Sequence, residues 1–258
     1  MTPSASLASM FTFPPGRTQR PRGDTVTAMG PRSAMRVTAV LTVAFWVLIT
    51  VGGAANPGYL QYEQYVSSLA SSGVAQPWWG RAAMACLATS LLIVGPTVRR
   101  WNPQVGWPVA LAGAGLVVAT AFPVSCPPGE PFCRLSEAVG LANAVHGAAV
   151  LAAAACLLFA AIAAGVHLWR GAPRRQDAVA AGVGAATALT LIGYPLLTVS
   201  GLQQRVLLVA VQAGLIAAAA AAHGEERRLD RQAARSALEA PHSRRSGPKG
   251  GPAGGRGT

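Results

Sequence analysis

Few residues in this chain have the type and spacing to do chemistry, and the clearest are an asparagine and a histidine. Asn143 and His146 stand three positions apart, which on a helix puts both on one face. An imidazole there can serve as acid or base. The plainer reading is an interfacial histidine, wet on one side and hydrogen-bonded to a neighbouring helix. It leads, because one histidine is not a catalytic constellation. Cys126 and Cys133 flank Pro127, Pro128, Gly129, Glu130, Pro131 and Phe132. A turn of that composition brings two sulfurs together, and a disulfide is expected on the oxidising side of a membrane; two free thiols are the alternative. Cys86 and Cys156 lie in apolar runs and read as small packing residues. The cysteine spacing is no zinc pattern. Phosphate-binding loop, nucleophile elbow and His-Glu metal motif are all missing from the sequence. No metal and no cofactor is expected.

The elements that must position these residues are apolar. Of 258 residues 52% are hydrophobic and 12% charged, against about 25% charged in soluble domains. The net charge of +12 does not indicate nucleic acid, because the basic residues flank apolar runs and no RNA-binding or zinc-finger pattern accompanies them. The apolar runs are 37–55, 82–98, 107–122, 139–168, 178–199 and 206–222. A spanning helix needs about 20 residues, so the second and third need their flanks. Trp78, Trp79, Trp101 and Trp107 sit there, where interfacial aromatic residues belong. The fourth is long, and tilt or projection accommodates it. The fold class expected is all-α: a polytopic bundle of six transmembrane helices over 37–222. A basic arm over 1–36 and a basic tail over 223–258 flank it, the tail helical to about 240 and then too polar to fold.

Charge assigns the sides. Eighteen of the 21 lysines and arginines lie in the two tails and in the gaps after the second and fourth runs. The positive-inside rule makes that side cytoplasmic, with both termini. A competing reading takes 37–55 as a signal peptide ending at Gly53-Ala54-Ala55, which leaves five helices in the same orientation. Met29 and Met35 are alternative starts. The bias to Ala, Gly and Arg, with Lys249 the single lysine, points to a bacterial source and a cell-membrane location. The three exceptions, Arg81, Arg134 and Arg205, lie near the outer, amino-terminal ends of helices, where the helix dipole disfavours a cation by about 0.3–1 kcal/mol. Glu63, Glu130 and Glu137 are the plain candidates for partners. An external anion, such as a lipid phosphate or a carboxylate, is the sharper one. No Asp, Glu, Lys or Arg falls in the centre of a run, where coupled transporters generally need one. Gln212 and Tyr194-Pro195 are the main interior irregularities.

Several short segments carry a resemblance. They are Asn56-Pro57-Gly58-Tyr59, Tyr65-Val66-Ser67-Ser68-Leu69-Ala70, Pro77, Phe122-Pro123, His146-Gly147 and Gly201-Leu202-Gln203-Gln204-Arg205. Their order and spacing resemble the bacterial six-helix membrane family known as domain of unknown function 998, over about residues 37–222. Two departures stand out. Ser68 and Val124 occupy positions where the family often has an acid, so acid-dependent chemistry is in doubt for this chain. The resemblance implies that Tyr59, Ser67, His146 and Arg205 share one outer-face site. The leading function is an integral membrane protein with an outward-facing polar pocket for a lipid headgroup or small anion. The partners expected are the lipid bilayer and anionic lipid, and no nucleic acid. A membrane-embedded enzyme using His146, with Ser67 or Tyr59 nearby, is the second reading. A transporter or a structural membrane partner is the third.

Overall fold

The computed structural model describes residues 29–60, 63–100, 102–125, 140–170 and 201–243. Among these the chain is helical, without strands. The helices are α1 (Pro31–Ala55), α2 (Trp78–Arg99), α3 (Pro103–Ala121), α4 (Leu141–Arg170) and α5 (Gly201–Ser243), with a short 3-10 helix, Val66–Ala70, between α1 and α2. All five are long and apolar enough to cross a membrane. Aliphatic side chains such as Val43, Leu111, Leu151 and Val206 face outward, as an apolar surround requires. The protein is a multi-pass membrane protein.

Helix boundaries follow local chemistry rather than the edges of the apolar runs. α1 starts at Pro31, where proline at the first helical position gives up no hydrogen bond. α3 gains a turn at its start because Asn102 caps it, accepting from the Val105 N–H at 3.3 Å, and Pro103 follows. α2 extends to Trp78, with Pro77 at its N-cap and no side-chain cap. α5 is 43 residues long, about 65 Å at 1.5 Å per residue, and so runs far beyond the bundle. The expected fifth run, 178–199, lies outside the described residues.

Close contacts set the directions. Gly52 near the end of α1 meets Trp79 at the start of α2, and Gly95 of α2 lies against Ala110 of α3. A Cβ on Gly95 would stand 2.6 Å from the Ala110 nitrogen, so only glycine permits that approach. Gly115 of α3 faces Ala149 and Ala153 of α4. Trp46 of α1 donates its Nε1–H to Gln212 Oε1 of α5 at 2.6 Å. α1 and α3 therefore run one way, and α2, α4 and α5 the other. Two ends result. The loop end gathers Ala55, Trp78, Ala121, Leu141 and Gly201. The arginine end carries Arg32, Arg36, Arg99, Arg100, Arg170, Arg227, Arg228, Arg231 and Arg235. Among the described residues only Arg81 and Arg205 are arginines at the loop end.

Candidate functional site

The loop that closes the loop end is built from its own turn. α1 stops at Asn56-Pro57-Gly58, where Gly58 adopts φ 86°, a left-handed conformation suited to glycine. The buried Asn56 side chain donates to the Gly52 carbonyl at 2.7 Å and accepts from the Gln76 N–H at 2.8 Å. One amide thus fixes both ends of the loop. The turn directs Tyr59 inward, and the chain then crosses to the first turn of α5.

Four consecutive loop residues deliver their backbone groups to that turn or to the tyrosine beside it. The Gly201 N–H donates to the Glu63 carbonyl at 3.1 Å. Arg205 Nη1 donates to the Gln64 carbonyl at 3.1 Å and to the Gly201 carbonyl at 2.9 Å. The Tyr59 hydroxyl donates to the Tyr65 carbonyl at 3.0 Å and accepts from Arg205 Nη2 at 2.9 Å. The Val66 N–H donates to Gln204 Oε1 at 2.6 Å. Gly201 cannot be replaced without disturbing this, because its Cβ would run into the Gln64 carbonyl oxygen.

Arg205 is only 8% exposed, and its guanidinium brings a positive charge into that site. Its three bonds use neutral acceptors. Glu63 is exposed and forms no ion pair with Arg205 or Arg81. The two ion pairs among the described residues, His223–Glu226 and Arg228–Glu225, are at the arginine end. Glu130, Glu137 and Arg134 lie outside the described residues. Tyr59 does not neutralise the charge either. Burial pushes its pKa above the ordinary 10.0, while the Arg205 charge and hydrogen bond oppose this without cancelling it. The phenol therefore stays protonated around neutral pH.

A second cluster ties α4 to the exit of α3. His146 Nδ1 lies 2.9 Å from the Ala119 carbonyl and 3.1 Å from the Phe122 carbonyl. Carbonyls only accept, so Nδ1 carries the proton, and in the neutral ring Nε2 holds the lone pair. The buried imidazole thus caps the last turn of α3, whose terminal carbonyls lack helical partners. Asn143 Oδ1 accepts from the Ser125 N–H at 2.8 Å and from its hydroxyl at 3.1 Å.

Of the residues singled out in the sequence, Tyr59 and Arg205 meet directly, and Asn143 and His146 share one face against α3. Among the described residues no hydrogen bond joins the two groups directly. Ser67 is half-buried on the 3-10 helix, one residue beyond the Val66–Gln204 bond, and its hydroxyl has no partner among the described residues. Cys126 and Cys133 lie outside those residues. Gly201, Gln204, Gln64 and Asn56 matter as much as Arg205 but were not singled out. The signal was there: Gly201 and Gln204 belong to the same five-residue segment as Arg205, and Asn56 to the turn that opens with it.

The family model described as Protein of unknown function (DUF998) matches residues 39–221. The chain belongs to this family. The matched span contains every residue of both clusters, so the loop clamp and the α3 cap lie within the DUF998 region rather than in the tails. No curated protein and no solved structure matches the chain.

Proposed function

We propose that this DUF998 protein is a six-span protein of the cell membrane, with both termini cytoplasmic and an outward-facing site at Arg205 that binds an anionic group, a phosphate or a carboxylate. Helix directions support the span count. α4 and α5 run the same way, as a sixth span between them would require, and the apolar run 178–199 has the length of one. The segregation of arginines supports the sidedness, by the positive-inside rule.

One observation carries the binding reading: a guanidinium 8% exposed, held by neutral acceptors with no carboxylate in ion-pair reach among the described residues. A clamp alone needs donors, not charge. Burying an uncompensated ion costs several kcal/mol, and a neutral amide would bond carbonyls with less desolvation. The α5 amino-terminal dipole adds positive potential at the same point. An anion from the outer side gains from both. The His146 reading needs a second titratable group or a nucleophile at Nε2, and no such contact supports it among the described residues.

The test is Arg205→Gln in the full-length protein, with anionic lipid retained on purification and glycerol phosphate binding as readouts. Loss of glycerol phosphate binding, with less anionic lipid retained, supports the site. Retention equal to wild type contradicts it.

A further inference from the structure

The uncharged run of α5, residues 206–222, is bounded by Arg205 at the loop end and His223 at the other. Their separation of 18 residues is about 27 Å along the axis, close to the roughly 30 Å of bilayer hydrocarbon. His223 therefore marks the hydrocarbon boundary at the arginine end. Beyond it, His223, Arg227, Arg228, Arg231 and Arg235 line a groove of about 540 Å³ along α5, and no acidic residue lines it among the described residues. That volume suits a small-molecule group. At its head His223 Nδ1 is buried without a hydrogen-bond partner, and the Glu226 carboxylate is 3.9 Å away, beyond hydrogen-bond length. Arg228 has Glu225 at 3.4 Å, an exposed pair that neutralises it weakly.

Helix side chains lean toward the helix amino terminus. α5 leaves the membrane carboxyl end first, so its arginines reach back toward the bilayer by about one turn, 5.4 Å. The Cα atoms of Arg227, Arg228 and Arg231 stand about 6, 8 and 12 Å past His223 by helical rise. Their charges fall at roughly 1–7 Å, within a headgroup layer about 5–7 Å deep per side. Arg235, about 18 Å out by the same rise, remains beyond it.

We propose that the membrane-proximal arginines of this groove, Arg227, Arg228 and Arg231, bind anionic phospholipid of the leaflet at the arginine end, with the lipid phosphate seated among them and accepting a hydrogen bond from His223, while Arg235 lies outside the site. The site is at the opposite end from Arg205 and does not depend on it. The full-length protein in detergent, titrated with phosphatidylglycerol, phosphatidylcholine and inorganic phosphate under native mass spectrometry, tests this. Phosphatidylglycerol should be preferred. Arg227→Gln and Arg231→Gln should each weaken it about fivefold, Arg235→Gln less than about twofold, given its distance beyond the headgroup layer. The loss at Arg227 should persist in an Arg205→Gln background, which separates the two sites. Equal losses at Arg235 and Arg227, no loss at Arg227 and Arg231, or, in the Arg205→Gln background, phosphate binding as tight as the lipid would each overturn the assignment. Unchanged thermal unfolding of the variants confirms that folding is not what was altered.

Discussion

At Arg205 a full positive charge meets two carbonyls and a phenol, none of which can neutralise it. Tyr59 is the most informative of the three because it both donates and accepts. Tyr59→Phe leaves one Arg205 donor and the Tyr65 carbonyl without that partner, and should destabilise the protein by about 1–3 kcal/mol, read as a lower Tm. Anion binding should survive, since the charge remains. The raised pKa of Tyr59 gives a pH dependence of definite sign. A folded-state value above the unfolded one contributes stability that is complete below about pH 10 and is lost as pH rises through the folded value. Tm should therefore fall more steeply above that pH in wild type than in Tyr59→Phe. Arg205 and His146 were legible as exceptions: a cation set apart from the other arginines and a lone imidazole in an apolar run. Their partners were not, because Gln64, Tyr65, Ala119 and Phe122 contribute backbone carbonyls, which no side-chain type reports.

Elements here are positioned by what can come close. Gly95 brings α2 and α3 together, and Gly201 lets the loop reach α5. Gly95→Val would press against the Ala110 backbone, which cannot move as a flexible side chain does. We expect a loss of roughly 1–3 kcal/mol, seen as reduced Tm, with site chemistry intact. Gly201→Ala should also destabilise, although alanine is the better helix former by about 1 kcal/mol, because the new methyl meets the Gln64 carbonyl. It should loosen the loop as well, measured as faster amide exchange at Val66. The apolar runs were visible in composition, but their ends were not. Asn102 and Pro103 start α3 by capping rather than hydrophobicity, so the run 107–122 alone is too short to show where the helix begins.

For the whole molecule, direction matters more than count. The described arginines, Arg81 and Arg205 apart, collect at one end, which is what the charge pattern of the sequence implies. What that pattern could not show is that both exceptions contact the same loop, Arg205 through Gln64 and Arg81 through the Ala70 carbonyl at 3.5 Å. The outward-facing anion site proposed at Arg205 requires the loop end to face out. Impermeant thiol labelling of intact cells tests that most directly, with a single cysteine added at Ser72 in the loop or at Ser236 on the α5 extension, both exposed, and the parent protein as background. Added label on Ser72→Cys in intact cells, and on Ser236→Cys only after permeabilisation, is the predicted result. The reverse pattern would contradict the account.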